Sequence, residues 1–374
     1  MKLFVCPACS TVVFFENRVC GFCGARLGYY PPRNSLFALD PERNAWRPPA
    51  EFRFCANAEQ DACNWLIPAG SDATLCAACQ HNQTIPDLSV AQNLVRWRKL
   101  ELAKHHLFYG LLKLGLPPES RAQRPDGGLA FEFLADGPEG ASVLTGHQAG
   151  LITMNLAEAD DATREQRRTE MGEPYRTLLG HFRHEIGHYY WDRLVRDGKY
   201  LEPFRKLFGD ETRDYAEALQ TYYAKGAPEA WWNDFVSAYA SAHPWEDFAE
   251  TWAHYLHIAD TLEMAGSYGI QVNPAVTEDP ALSAKVDLDP WFAQNVSQLV
   301  GRWRPIAIAV NSVNRCMGQP DLYPFVLTPT VIGKLGFIHD LTHGLTRSNR
   351  RRRARPPAAR TDNRSDSRLV SVSD

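Results

Sequence analysis

Two histidines and a glutamate with helical spacing are the first residues in this chain that could do chemistry. They are His184, Glu185 and His188, in an HExxH sequence. Side chains four residues apart lie on one face of a helix, so the two imidazoles can bind one metal ion. Glu185 lies beside them, where it can take a proton from a water activated by that ion. The spacing predicts a zinc hydrolase centre, and two exposed histidines on an ordinary helix are the alternative.

A second helix must supply the rest of this centre. Pro174 suits the first turn of the HExxH helix, and Pro244 can open a helix that carries Glu246 and Glu250 four residues apart. A catalytic zinc ion with two histidine ligands needs a third protein ligand, and we expect Glu246 to provide it. Glu250 can accept the spare ring N–H of a ligating histidine and hold its orientation.

HExxH followed at a distance by ExxxE resembles the gluzincin metallopeptidases. The residues from His243 to Leu256 resemble bacterial zinc-binding metallopeptidases with an N-terminal zinc ribbon, and this resemblance covers nearly the whole chain up to about Thr346. It implies that Glu246 is the ligand and Glu250 the carboxylate behind a histidine. In lethal-factor-type enzymes a tyrosine precedes the ligand glutamate by seven residues. Tyr239 has that spacing, which implies that it stabilises the oxyanion.

Other residues compete for roles at this centre. His181, His243 and His254 lie close enough in sequence to be rival metal ligands, although HExxH already defines the pair. The segment 151–156 reads as a strand. By resemblance to zincins it is our candidate for the sheet edge that pairs with a substrate backbone, with an ordinary core strand as the alternative.

Eight of the nine cysteines fall into two groups of four. The first group has the spacing of a zinc ribbon, and the second is less regular. Each predicts a metal held by four thiolates, although ligands could also be exchanged between the groups. A metal-held fold is favoured over a recognition module, because the first group lacks a basic stripe. The groups are Cys6, Cys9, Cys20 and Cys23, and Cys55, Cys63, Cys76 and Cys79. We expect the ninth, Cys316, to be a buried thiol.

Residues 87–116 have a helical pattern that contains two adjacent histidines, His105 and His106. Neighbouring residues on a helix point in different directions, so we do not expect these two side chains to share a metal. The long interval between His188 and Glu246 also has helical patterns.

Length and composition indicate a globular α+β protein with several units. The chain has 374 residues, of which 44% are hydrophobic and 22% charged. We predict a mostly helical zincin-like metallopeptidase domain at 87–346, preceded by small cysteine-rich modules. A zinc ribbon at 1–30 is followed by a linker and a second four-cysteine module at 31–86. An arginine-rich, disordered tail is predicted at 347–374.

Charge and cysteine usage bound the partners and the compartment. The tail carries +6 and the remainder −10, which together make the net charge of −4. An acidic body argues against nucleic acid as its partner, while the arginines of the tail could bind nucleic acid weakly. No segment is long and apolar enough to span a membrane, and the first residues do not resemble a signal peptide. Thiols used as metal ligands indicate the cytoplasm.

These patterns together predict a zinc-dependent peptidase that acts on a peptide or protein. It would use one catalytic and two structural zinc ions. The alternative is a non-catalytic binding or regulatory protein in which the ribbons are the working part and the zincin core is a scaffold. A hydrolase of another amide bond is a third, weaker alternative.

Overall fold

The computed structural model describes residues 1–39, 51–137, 143–170 and 172–353. The predicted α+β class is confirmed: a segment of short β-hairpins leads into helices packed around one small sheet. Part of the predicted linker, 40–50, and the tail beyond residue 353 lie outside the described residues.

The cysteine-rich segment consists of three antiparallel strand pairs. The strands are β1 (Phe4–Val5), β2 (Val12–Val13), β3 (Arg26–Tyr30), β4 (Ser35–Leu39), β5 (Phe52–Phe54) and β6 (Leu66–Pro68). The segment packs on the rest of the chain through Phe15. Its ring contacts Tyr29 and Trp65 inside the segment, with centroids 4.8 and 6.1 Å away, and Tyr109 outside it, with a centroid 5.3 Å away. The ribbon is thus part of the common core.

One four-stranded sheet supports the helices, in the order β7-β8-β10-β9. Its strands are β7 (Asn82–Thr84), β8 (Ala130–Leu134), β9 (Gly146–Gln148) and β10 (Leu151–Asn155). The first three in this order run parallel, and β9 pairs antiparallel with β10. The prediction that 151–156 forms the edge is therefore wrong. A tight turn at Ala149 and Gly150, both with positive φ, folds β9 back outside β10.

In the described parts of the chain, eight α-helices follow the hairpins. They are α1 (Ala91–Lys113), α2 (Asp161–Glu170), α3 (Leu178–Tyr190), α4 (Leu201–Phe208), α5 (Tyr215–Lys225), α6 (Pro244–Ser267), α7 (Val296–Cys316) and α8 (Pro329–Arg353). A π-helical turn, Trp191–Arg196, continues α3, and a two-stranded pair, β11 (Gln271–Val272) with β12 (Ala284–Lys285), follows α6. Helix α3 lies between α1 and α6 in the core.

The crossing of α3 and α6 depends on small residues. A Cβ on Gly187 would lie 2.9 Å from the Cα of Ala249, so only glycine lets the two backbones approach this closely. Gly187 is one of the two variable positions of HExxH. The close approach brings the residues of α6 onto the face of α3 that carries the histidines.

Several boundaries differ from the predicted ones. Helix α3 begins at Leu178 rather than near Pro174, because the side chain of Thr177 caps it by accepting the Gly180 N–H at 3.0 Å. Strand β7 belongs to the predicted cysteine-rich module, yet it pairs with β8 of the peptidase region. Helix α8 overlaps the first residues of the predicted disordered tail.

Cys316 is exposed at the end of α7, so the prediction of a buried thiol is wrong. It ends an amphipathic helix on the side that faces solvent. Across the parts of the chain that the structure describes, every helix is too short or too polar to cross a membrane.

Candidate metal centres

Helix α3 presents His184 and His188 on one face, as the four-residue spacing predicts. The two Nε2 atoms are 3.1 Å apart. His188 is buried and its ring packs against Trp245, with centroids 3.8 Å apart. The indole restricts the rotation of the imidazole, so the orientation of His188 is set by packing.

Helix α6 begins at Pro244, as predicted, with His243 as its N-cap. The Trp245 N–H donates to Nδ1 of His243 at 3.1 Å, and Nε2 of His243 donates to the Arg213 carbonyl at 3.2 Å. This cap fixes the first turn, which carries Glu246. The carboxylate of Glu246 is buried and faces the two histidines.

The atoms His184 Nε2, His188 Nε2 and Glu246 Oε2 form one compact group, here called the histidine centre. Glu246 Oε2 lies 3.0 Å from His184 Nε2 and 3.5 Å from His188 Nε2. Donors at about 2.0–2.1 Å from a tetrahedral zinc ion would be about 3.3 Å apart, so these separations fit one shared ion. Two imidazoles and a carboxylate are also a donor set that zinc prefers.

Glu250 supports this group from behind. Nδ1 of His184 donates to its Oε1 at 2.8 Å, and the hydroxyl of Ser237 donates to its Oε2 at 2.6 Å. Because Nδ1 carries the proton, Nε2 of His184 keeps a lone pair for a metal. Burial alone would raise the pKa of Glu250, but the hydrogen bonds from His184 and Ser237 contribute to lowering it to about 2.

Glu185 lies on the same helix, buried beside the histidines. Burial raises the pKa of its carboxyl group, and the nearby carboxylates Glu246 and Glu250 act in the same direction, while the two histidines oppose the shift. A carboxylate with a raised pKa is a stronger base than an ordinary glutamate.

Tyr239 also lies at the centre. Its ring centroid is 5.9 Å from that of His184, and burial followed by the charge of Glu246 holds its pKa well above the usual value. The hydroxyl group is therefore protonated at neutral pH and able to donate a hydrogen bond. The structure brings together all six residues predicted for this centre: His184, Glu185, His188, Tyr239, Glu246 and Glu250.

Sequence reasoning missed Tyr215, the first residue of α5. Its hydroxyl donates to Glu246 Oε1 at 2.6 Å and so orients the carboxylate that is the third donor of the centre. Its ring also lies 5.6 Å from that of Trp245. Tyr215 is 31 residues from Glu246 and on a different helix, so no local spacing could have indicated it.

The three rival histidines are engaged elsewhere. His181 faces Glu158, with its Nδ1 3.5 Å from Oε2. His243 is the N-cap of α6, and Nδ1 of His254 is 2.6 Å from the hydroxyl of Tyr323. None of the three belongs to the group of donor atoms formed by His184, His188 and Glu246.

Comparison with protein-family models assigns the chain to a family. Residues 93–341 match the family described as "Putative zinc-binding metallo-peptidase". The chain belongs to this family. Residues 3–90 match a zinc-ribbon domain, so the predicted combination of a zinc ribbon with a metallopeptidase-like domain is confirmed.

Relatives of this metallopeptidase-family member occur in mycobacteria. Uncharacterized proteins of Mycobacterium tuberculosis and Mycobacterium bovis are each 43% identical to it over 340 residues, which are 91% of this chain and 94% of theirs. The similarity spans both the ribbon and the peptidase-like region. No solved structure matches the chain.

The cysteines form two separate groups, so ligands are not exchanged between them. In the first thiolate centre (Cys6, Cys9, Cys20 and Cys23), the sulfurs of Cys6 and Cys23 are 3.8 Å apart and those of Cys9 and Cys20 are 3.6 Å apart. In the second thiolate centre (Cys55, Cys63, Cys76 and Cys79), the sulfurs of Cys63 and Cys76 are 3.8 Å apart. Zinc–sulfur bonds of 2.3 Å place two ligands about 3.8 Å apart, so both centres fit zinc.

Proposed function

We propose that this protein hydrolyses peptide bonds with a zinc ion at His184, His188 and Glu246. The observation that carries the proposal is the convergence of these three donor atoms beside the buried carboxylate of Glu185. A zinc ion held there would polarise the scissile carbonyl and lower the pKa of a water molecule. The membership of a zinc-binding metallopeptidase family supports the same conclusion.

Glu185 is the proposed general base. Its carboxylate takes a proton from the attacking water and returns it to the amine that leaves. The raised pKa of Glu185 brings the carboxyl group nearer to neutral pH, where one group can both accept and return a proton. Glu250 and Ser237 keep His184 in the tautomer whose Nε2 faces the centre.

Tyr239 is the proposed donor to the oxyanion that forms on the substrate carbonyl. Its raised pKa keeps the hydroxyl protonated, and its ring lies next to that of His184. Strand β9 contacts α3 and forms the edge of the sheet. We therefore propose that a substrate backbone adds to β9 rather than to β10.

The proposal places this activity in the cytoplasm. All nine cysteines are free thiols, and eight of them are grouped as metal ligands. Such thiols stay reduced in a cytoplasmic environment, whereas an oxidising compartment would convert them to disulfides.

The substitution Glu185→Gln tests the proposed chemistry. The zinc-loaded variant should cleave a quenched fluorescent peptide library about 10²–10⁴-fold more slowly than the wild type, since the general base is lost. Its zinc content should be unchanged, because the three metal donors remain. Glu165→Gln is a matched control, since Glu165 is exposed on α2 and should have no effect. Retained cleavage by Glu185→Gln would remove Glu185 from the mechanism.

A binding role for the ribbon is the second candidate, and one observation favours it. The first thiolate centre is surrounded by exposed apolar side chains, among which Phe22 is 78% exposed and Val12 and Val19 are each 53% exposed. Apolar groups left in solvent often mark a contact surface. A non-catalytic protein would keep its cellular role in Glu185→Gln and lose it in Phe22→Ser. A peptidase would be impaired more by Glu185→Gln than by Phe22→Ser.

A further inference from the structure

The second thiolate centre has a fifth donor that its cysteine spacing does not reveal. His105, on α1, directs Nε2 at the sulfurs of Cys63, Cys79 and Cys76, at 3.3, 3.6 and 4.0 Å. The histidine is buried and lies outside the segment 3–90 that matches the zinc ribbon. A zinc ion bound by sulfur at 2.3 Å and nitrogen at about 2.05 Å would hold such atoms about 3.5 Å apart.

The tautomer of His105 is set by the backbone. Nδ1 lies 2.6 Å from the carbonyl oxygen of Glu101, which can only accept a hydrogen bond. Nδ1 therefore carries a proton, and Nε2 of the neutral ring has a lone pair directed at the sulfurs. Histidines that bind metals have this arrangement, with the far nitrogen tied to an oxygen. His184 at the histidine centre is held in the same way by Glu250.

The charges around this centre favour an imidazole ligand. Four thiolates on a Zn²⁺ ion carry a net charge of −2, and all four of these cysteines are buried. The buried Lys104 lies nearby, but it is paired with Glu101 at 2.7 Å and so leaves little net positive charge. Replacing one thiolate by a neutral imidazole halves the buried negative charge, which lowers the cost of desolvation.

We propose that His105 is a ligand of the second thiolate centre, so that this metal is held jointly by the cysteine-rich segment and helix α1. Cys63, Cys76 and Cys79 complete a three-sulfur, one-nitrogen site, and His105 takes the place of Cys55. Helix α1 packs against α3, which carries His184 and Glu185. The metal then fastens the ribbon segment to the scaffold of the histidine centre.

Cadmium-113 NMR of the cadmium-loaded full-length protein tests this assignment. The expected spectrum correlates the metal of the second centre with the imidazole protons of His105. This correlation should vanish in His105→Ala, while those from His184 and His188 remain. His106→Ala is the matched control, because His106 faces Phe15 of the ribbon instead of the sulfurs. Correlations from cysteine protons alone at the second centre of the wild type would overturn the proposal.

Metal content provides a second readout, since four sulfurs and one imidazole nitrogen surround an ion that needs four donors. Zinc per chain should stay at its wild-type value in Cys55→Ser and fall by about one ion in Cys55→Ser with His105→Ala, because only the double variant has fewer than four donors. Loss of this ion from Cys55→Ser alone would show that His105 cannot bind it. Neither measurement depends on peptidase activity, so the proposed hydrolysis can fail while this assignment holds.

Discussion

The histidine centre lies on helices α3 and α6, the cysteines of the second thiolate centre lie in the cysteine-rich segment, and the two centres are built in opposite ways. The histidine centre has three donors, and its edge is accessible: the side chain of His184 is 12% exposed and that of Glu250 is 19% exposed. The second thiolate centre has at least four donors, and its cysteines are no more than 3% exposed. An ion in the first would have a position for water, whereas an ion in the second would be enclosed.

This difference separates two uses of the same metal. A closed site contributes its binding free energy to folding, because the unfolded chain does not hold the ligands together. An open site leaves one coordination position of the metal for water or substrate, so its protein donors must be held in place by packing and hydrogen bonds. Tyr215, Ser237 and Glu250 provide that support around the histidine centre.

The largest expected effect on stability comes from the second thiolate centre. Cys76→Ser combined with Cys55→Ser should lower the free energy of unfolding by more than about 4 kcal/mol, because it leaves only three donors for a buried metal in the core. Cys9→Ser should cost less, since Cys9 is half-buried at the periphery of the first centre. Urea unfolding followed by tryptophan fluorescence measures both. Equal losses in the two variants would contradict the distinction between a central and a peripheral metal.

A second expected effect is loss of stability in acid near the thiolate centres. Burial lowers the pKa of His81 to about 4 and that of His106 to about 3. The unfolded chain takes up these protons near pH 6.5, and the folded chain does so only below about pH 4. Above pH 6.5 neither histidine therefore lowers the free energy of unfolding. As the pH falls from 6.5 toward 4, each should lower it by about 1.4 kcal/mol per pH unit.

The variant His106→Leu isolates this effect from metal loss in acid. Leucine keeps an apolar side chain against Phe15 but has no titratable group. The difference in unfolding free energy between wild type and variant should change with pH between about 6.5 and 4 in the predicted direction. A difference that is independent of pH would show that His106 is protonated equally in both states.

The grouping of the histidines and of the paired cysteines was predictable, because the patterns that define them are local. HExxH, ExxxE and CxxC place ligands within one helical turn or one loop, and the structure groups the residues as those spacings predict. Pro244 also marked the start of α6 correctly, since its ring suits the first turn of a helix.

Long-range placement was not predictable in the same way. Tyr215 and His105 reach their centres from other helices. The adjacent pair His105 and His106 predicted correctly that the two side chains point in different directions, but not that His105 faces the cysteines. Strand β10 was misplaced at the edge because its apolar run does not show whether a further strand follows outside it. A usable signal was the pair of small residues Gly187 and Ala249, which stand among large side chains on helices that must meet.

That helix crossing gives the third prediction, which concerns how the open centre is assembled. Gly187→Ala should lower the free energy of unfolding by about 1–3 kcal/mol, because its Cβ would lie 2.9 Å from the Cα of Ala249 and the helices must separate. Gly301→Ala in α7 is the control: no heavy atom lies within 4 Å of its Cβ, so it should stabilise the protein by about 0.5–1 kcal/mol. Thermal unfolding of both variants measures the difference. A stabilising Gly187→Ala would show that the crossing tolerates a larger separation.

The smallest predicted effect concerns the hydrogen bond that holds the third donor of the open centre. Tyr215→Phe keeps the ring contact with Trp245 but removes the hydroxyl that donates to Glu246 Oε1. Zinc affinity at the histidine centre should fall about tenfold, the lower end of what is typical when a group behind a metal ligand is removed. Competition with a chelator measures it, and the two thiolate centres should be unaffected because they share no residue with Tyr215.

Tyr222→Phe is the matched control for this measurement, since it alters the same helix and keeps the ring contact with Tyr239, 5.7 Å away. If both variants bind zinc as the wild type does, the orientation of Glu246 must come from the cap at His243 and the burial of its own carboxylate. The open centre would then resemble the closed ones, with its donors fixed by the fold alone. A loss confined to Tyr215→Phe would instead show that α5 completes the histidine centre.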